Sequence, residues 1–333
     1  NPRLEKASIL KSRRFPSEQT SGMVGDCEHR QNTDMHKSNR TLQGLTMMAI
    51  AMLMIPCMDA IAKYVGPRVS PGQIVWSRFF FQTLFMACIA YFFLHREQMR
   101  LAHPLQHLTR AAMIALATLL FFTALQYMPL AESIAIFFVE PLLLTLLAAV
   151  FLGEPIGWRR IMAVLAGFAG ALIIVRPEFA KAGWAAALPL GAALAFSIYL
   201  ILTKRLSDHT HPVAIQLFTG IGAMLVMSCA LAVGYVLKAD WLMPSMPQLQ
   251  DLKLLVVMGL IASCGHLLVV MAFARAPAST LAPLQYLEIV SATLLGLYFF
   301  ADFPDFTAWI GVGIIVSSGI FVAWRERLAA AQQ

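Results

Sequence analysis

Charge is what this chain has little of. Only 13% of its 333 residues are Asp, Glu, Lys or Arg, whereas 59% are apolar; an ordinary soluble domain carries about 25% charged residues. So few polar side chains cannot cover a water-facing surface, and a mean hydropathy of +0.70 points the same way, to an integral membrane protein. Cysteine is scarce as well. Cys27, Cys57, Cys88, Cys229 and Cys264 form no Cys-x-x-Cys pair, and four of the five fall inside apolar runs. Neither a disulfide framework nor a zinc site is expected from such a pattern, and no catalytic residue, metal or cofactor is assigned. The net charge of +7 does not indicate nucleic acid, because the basic residues lie in the N-terminal segment and in short connectors rather than along one face of a soluble domain. That is where membrane orientation places them.

What the chain does have is apolar runs of helical span length. A bilayer core about 30 Å thick is crossed by about 20 helical residues, and after residue 41 the sequence divides into ten runs: 42–62, 74–94, 111–128, 133–152, 161–175, 185–203, 213–237, 254–274, 281–300 and 306–324. The fifth is short and is expected to begin nearer Trp158. Prolines and glycines punctuate the connectors, among them Gly66, Pro67, Pro71, Pro129, Gly153, Pro155, Pro177, Pro212, Pro244, Pro277 and Pro304. Residues 1–41 carry eight basic and five acidic side chains and no apolar run, so they read as a disordered cytosolic tail rather than a signal peptide. Met23 and Met35 leave open a natural start within that segment. With the N-terminus inside, ten basic residues of the later chain (Arg110 among them) fall on the cytosolic side and six outside, before the tail adds its eight. The positive-inside rule then expects both termini in the cytosol, residues 326–333 forming the C-terminal tail.

An internal repeat organises the ten runs. Met128-Pro129, Glu140 and Glu154 recur at an offset of 148 as Ala276-Pro277, Glu288 and Asp302, and Lys63 and Pro71 recur at an offset of 141 as Lys204 and Pro212. The difference of seven falls in the connector 238–253. Five helices per copy is an odd number, so the second copy enters the membrane from the opposite side. The expected fold is all-α, ten transmembrane helices as two inverted five-helix repeats over 42–176 and 183–325.

The run from Glu140-Pro141 to Leu152-Gly153-Glu154, followed by Trp158 and the small-residue helix around Gly167 and Gly170, looks like the C-terminal part of an EamA unit of the drug/metabolite transporter superfamily. Lys63, Ser70-Pro71 and Arg78 are similar to the opening of such a unit. The resemblance covers about residues 42–325. The second copy departs from it, with Phe300-Ala301-Asp302 in place of Leu-Gly-Glu and Thr219 where Arg78 would recur. The resemblance implies ten helices, a central cavity between the halves and transport of small organic solutes.

Ionisable residues inside spans are costly, about 2.5–3.5 kcal/mol each on insertion scales, and therefore face a cavity or a partner. Here they are Asp59, Arg78, Glu140, His266 and Glu288, with Lys63 at a helix end. Glu140 and Glu288 each lie about 10 Å into their spans from opposite faces, as a near-symmetric pair suited either to substrate contact and proton coupling or to holding helices together. Gln285 and Tyr286 add hydrogen-bonding groups beside Glu288, and Pro141 and Pro283 free backbone carbonyls nearby. Asp59 and Arg78 fall at the same level, with Lys63 one turn from Asp59; the cluster reads either as a site for a substrate carboxylate or phosphate or as a latch between the first two helices. His266 is nearest a span centre and suits either a neutral hydrogen bond or a proton relay. Ser197, Tyr199 and Phe196, with Trp76, Phe121, Phe122, Phe137 and Phe138, are candidates for a cavity wall. Gly167, Gly170, Gly311 and Gly313 read as close-packing positions.

Two classes of function compete. A membrane enzyme such as a lipid-modifying transferase would gather carboxylates or histidines at the interface, and no such cluster is seen. A secondary transporter in the cell inner membrane, working by alternating access on a small solute among membrane lipids, accounts for the repeat and the sparse buried charges. The cations near the outer mouth lean toward an amino acid or carboxylate; a vitamin, a nucleoside-type cofactor or a drug is the alternative. Proton coupling and a homodimer are left open.

Overall fold

A computed structural model of the chain describes residues 19–99, 103–152, 158–207, 210–276, 281 and 284–330, and all regular structure among them is helical. Gly153, Glu154, Pro155, Pro277 and Pro283, singled out from the sequence, lie outside the described residues. Eleven helices are labelled here: α1 (Gln19–Val65), α2 (Pro71–Phe93), α3 (Pro104–Ala124), α4 (Leu130–Phe137), α5 (Glu140–Leu152), α6 (Trp158–Ala182), α7 (Leu188–Ser207), α8 (Pro212–Leu237), α9 (Leu249–Phe273), α10 (Leu287–Phe300) and α11 (Phe306–Ala330). The chain divides into two compact units, residues 1–43 and 44–333. In the first, residues 19–43 are helical, where disorder was expected. No proline stands between Pro16 and Pro56 to stop the helix of the first span, and once nucleated a helix propagates at little cost per residue.

Among the described residues, six helices are long and apolar enough to cross a membrane: Arg40–Val65, Pro71–Phe93, Pro104–Ala124, Gly183–Thr203, Pro212–Leu237 and Leu249–Phe273. Shorter apolar segments follow at Ile161–Ile174, Leu287–Phe300 and Phe306–Phe321. The outward faces are apolar too. Phe92, Phe93, Tyr235, Leu237 and Trp324 are all more than half exposed, a surface that water does not tolerate but lipid does.

The run 133–152 does not form one span. It is divided into α4, of eight residues, and α5, of thirteen, with Phe138 and Val139 in a turn between them. The cause is local. Pro141 has no N–H to give to the carbonyl of Phe137, and the backbone tightens instead, Val139 N donating to Ile136 O at 3.2 Å and Leu142 N to Val139 O at 3.1 Å. The run 281–300 is interrupted in the corresponding place: Tyr286 is a turn residue and α10 begins at Leu287. Glu140 is thus the first residue of α5 and Glu288 the second of α10, both at the end of a helix where the backbone dipole favours negative charge.

Packing pairs the elements in a regular way: α2 with α8 and α9, α3 with α7 and α8, α4 with α10, and α6 with α11. The last contact relies on glycine. A Cβ on Gly170 would come to 3.0 Å from Gly311 O, and one on Gly311 to 2.7 Å from Gly170 O. Gly313, by contrast, has nothing within 4 Å of its Cβ direction and is not a close-packing position. Prolines set two helix starts. Pro71 follows Ser70, whose Oγ accepts from Gln73 N at 3.3 Å, and Pro212 follows His211, whose Nδ1 accepts from Val213 N at 3.3 Å.

Candidate functional site

Where the interrupted helices meet α1, α2, α3, α7 and α9, they enclose a cavity with about 80 Å³ open to the centre of a water molecule. Six of the residues predicted from the sequence stand on its wall: Asp59, Arg78, Glu140, His266, Gln285 and Glu288. The rest of the wall is aromatic and sulfur-bearing. Phe121, Phe122, Phe137, Phe138 and Phe196 line it, joined by Met48, Met52 and Met58 of α1. Phe137 meets both Phe121 and Phe196 edge to face at 5.4 Å, so the three rings form one rigid panel.

The polar groups are deeply buried, Arg78 at 2%, Asp59 and Glu140 at 3% and His266 at 5% exposure. Arg78 is held from two sides. One terminal nitrogen donates to Thr118 Oγ1, and the other lies 2.6 Å from His266 Nε2. A guanidinium has no acceptor, so His266 accepts through Nε2. Asp59, Glu140 and Glu288 share the cavity wall with Arg78. Three atoms on this wall have no hydrogen-bond partner: Arg78 Nε, Glu140 Oε1 and Gln285 Oε1. Buried polar atoms are nearly always paired, so three unpaired ones on the wall of one cavity make it the candidate site.

The other predicted residues lie elsewhere. Lys63 leaves the cavity and pairs with Asp302 at 2.5 Å. Ser197 donates to the Glu140 carbonyl at 3.1 Å, tying α7 to the start of α5. Tyr286 packs against Phe138 at 5.3 Å with its hydroxyl unpaired. Tyr199 accepts from Arg110 Nη2 at 2.9 Å. Trp76 is outside the wall too, donating to Ser228 Oγ at 2.8 Å.

Arg110 corrects the sequence reading. Counted there among connector cations, it is fully buried in α3, which begins seven residues earlier than the apolar run suggested. Its Nε donates to Thr203 Oγ1 at 2.7 Å, its Nη1 to Thr219 Oγ1, and its ring-facing side lies 4.4 Å from the centre of Tyr199. Thr118, which holds Arg78, was also missed, because a threonine in an apolar run carries no signal alone.

The family model described as EamA-like transporter family matches residues 42–176 and 183–324. The chain belongs to the EamA-like transporter family, and it is a multi-pass transporter rather than an enzyme. It is 28% identical to a riboflavin transporter of Rhizobium johnstonii, covering 86% of this chain and 93% of that one. It is 24% identical to an S-adenosylmethionine uptake transporter of Rickettsia bellii, over 87% and 96%. A riboflavin transporter of Vibrio cholerae shares 26% identity over 88% and 96%. A solved crystal structure with 20% identity shares the fold at a TM-score of 0.60, covering 86% of this chain and 97% of that one.

Proposed function

We propose that this protein is a secondary transporter that carries a vitamin or nucleoside-type cofactor with a flat ring across the plasma membrane by alternating access. One observation carries the reading: the cavity combines a rigid phenylalanine panel with unpaired polar atoms of Arg78, Glu140 and Gln285. Aromatic walls take a planar ring by stacking, and the unpaired atoms supply the few oriented contacts that fix it. Relatives named for riboflavin and for S-adenosylmethionine support the same class of solute. The carboxylate reading rested on Arg78 and Lys63 near the outer mouth; Lys63 is engaged by Asp302, which leaves Arg78 alone on the cavity wall.

Ten crossings in two inverted repeats, with both termini in the cytosol, complete the reading. Two patterns support them. Connectors 66–70, 125–129, 238–248 and 301–305 should all share one side, and they are linked by Ser70 with Met243 at 2.7 Å and by Lys63 with both Met128 and Asp302. Applying the offsets of 141 and 148 turns the contact of Phe81 with Gly259 into that of Gly222 with Ala111, and both contacts exist, at 2.4 and 2.7 Å for an added glycine Cβ. The cavity is far below the roughly 300–1,000 Å³ of a ligand site, so it represents a contracted state that opens to load. Glu140 and Glu288 are the groups that would contact solute or carry a coupling proton.

The test is uptake of radiolabelled riboflavin and S-adenosylmethionine into proteoliposomes holding the purified full chain. Saturable uptake of one of them, reduced at least tenfold by Glu140→Gln, is the expected result. Uptake of a dicarboxylate or amino acid with neither cofactor transported would overturn the reading.

A further inference from the structure

Charge around the cavity is unbalanced. Three carboxyl groups stand on the wall, Asp59 on α1, Glu140 on α5 and Glu288 on α10, against the single guanidinium of Arg78. Asp59 and Glu140 are each 3% exposed, and Glu140 Oε1 is buried without a hydrogen-bond partner. Their spacing excludes one explanation: among the described residues no group of three or more acidic, histidine or cysteine side chains is placed to hold a metal ion. Acids set around an aromatic chamber suit an organic cation whose charge sits beside a ring. The neighbours agree, since aromatic rings such as those of Phe121, Phe137 and Phe196 on the same wall can attract a positively charged centre.

Resting on the reading above that the cavity takes a ring-bearing cofactor, we infer that the cavity selects a solute with a permanent positive centre, such as a sulfonium or quaternary ammonium, over a neutral ring system of the same shape. A positive centre placed among Asp59, Glu140 and Glu288 supplies a counter-charge to carboxyl groups in a medium of low dielectric constant, where Coulomb terms are several times stronger than in water. Arg78 Nε, which faces the same chamber unpaired, is left to hold an oxygen of the solute.

Two ligands that differ by one methyl group and one charge separate the effect from shape. Binding of S-adenosylmethionine (a sulfonium) and S-adenosylhomocysteine (its neutral thioether) to the full chain in lipid nanodiscs is measured by calorimetry, with riboflavin alongside. The sulfonium is expected to bind at least tenfold more tightly, and Asp59→Asn and Glu140→Gln to remove most of that preference. Both replacements keep side-chain shape, and the ligand comparison itself needs no variant. Equal affinity for the two adenosyl compounds, or tighter binding of riboflavin, overturns the inference while leaving the cofactor reading intact. Binding of none of the three overturns both.

Discussion

Lys63 Nζ stands 2.5 Å from Asp302 Oδ2 and 3.2 Å from the carbonyl of Met128, with the ring of Phe300 4.9 Å below it. One ammonium group at the end of α1 therefore joins the connectors that follow α3 and α10. Arg68 makes a second such link, its Nη2 2.7 Å and its Nε 3.0 Å from Asp251 Oδ1. That hydrogen-bonded carboxylate holds the Arg68 guanidinium above its ordinary value. Both pairs join the two family-matched segments, 42–176 and 183–324. In the alternating-access reading proposed above, opening at this end requires both to part.

The expected consequence is a reversible block. In a background from which the native cysteines are removed, Lys63→Cys with Asp302→Cys should cross-link under mild oxidant, stop transport, and recover with reductant. Transport at an undiminished rate by the cross-linked protein would show that this side does not open there. Ion pairs exposed to this degree add little to stability, so Asp302→Asn alone should change transport rates more than melting temperature.

Arg110 predicts the opposite balance. Its guanidinium serves Thr203, Tyr199 and Thr219 at once inside the protein, and a lysine can supply neither the fork nor the number of donors. Arg110→Lys should cost about 1–3 kcal/mol, the penalty of buried groups left unpaired, read as a lowered melting temperature in detergent. Arg205→Lys, at an exposed position where one nitrogen meets the Phe151 carbonyl at 2.8 Å, should leave the melt within error of the parent.

These residues also mark how far the sequence could be read. The six long helices follow from uninterrupted apolar runs, whose length and composition alone demand a span. The cavity acids were legible because an ionised group in such a run has to face inward. The break before Glu140 was harder to see: its signal is Pro141, whose effect depends on whether a helix kinks or stops, and periodicity does not decide that. Arg110 was hidden because α3 starts at Pro104, so a cation that looked terminal sits two turns inside. Its partner Thr219 was visible as an anomaly, a threonine where arginine should recur. Space rather than sequence supplies the answer, since Arg110 delivers a guanidinium to that very threonine.

Helix spacing gives a third prediction. A Cβ on Gly259 would sit 2.4 Å from Phe81 Cβ and 3.3 Å from its Cα, so α9 and α2 touch through backbone that cannot swing aside. Gly259→Ala should destabilise by about 1–3 kcal/mol, the usual cost of overpacking. The related Gly222→Ala, facing Ala111 Cβ at 2.7 Å, should cost a similar amount if the two crossings are images of each other. Thermal melts of the two variants compare them directly, and a large effect at one with none at the other would argue against the repeat symmetry.

The contact of Arg78 with His266 makes the most specific demand. Nε2 accepts from the guanidinium at 2.6 Å, so the imidazole must present a lone pair there and carry its proton on Nδ1. What matters at this position is an acceptor of the right reach. His266→Gln, whose amide oxygen can take over that lone pair, should keep Arg78 in place and retain solute affinity within a few-fold. His266→Leu removes the acceptor, leaves a buried donor unmet at a cost of about 1–3 kcal/mol, and should weaken binding at least tenfold through the displaced guanidinium. A proton relay predicts a different pattern, because glutamine cannot titrate: binding would survive in His266→Gln while proton-driven accumulation failed. Measuring equilibrium binding and pH-gradient-driven uptake on the same two variants therefore separates the roles.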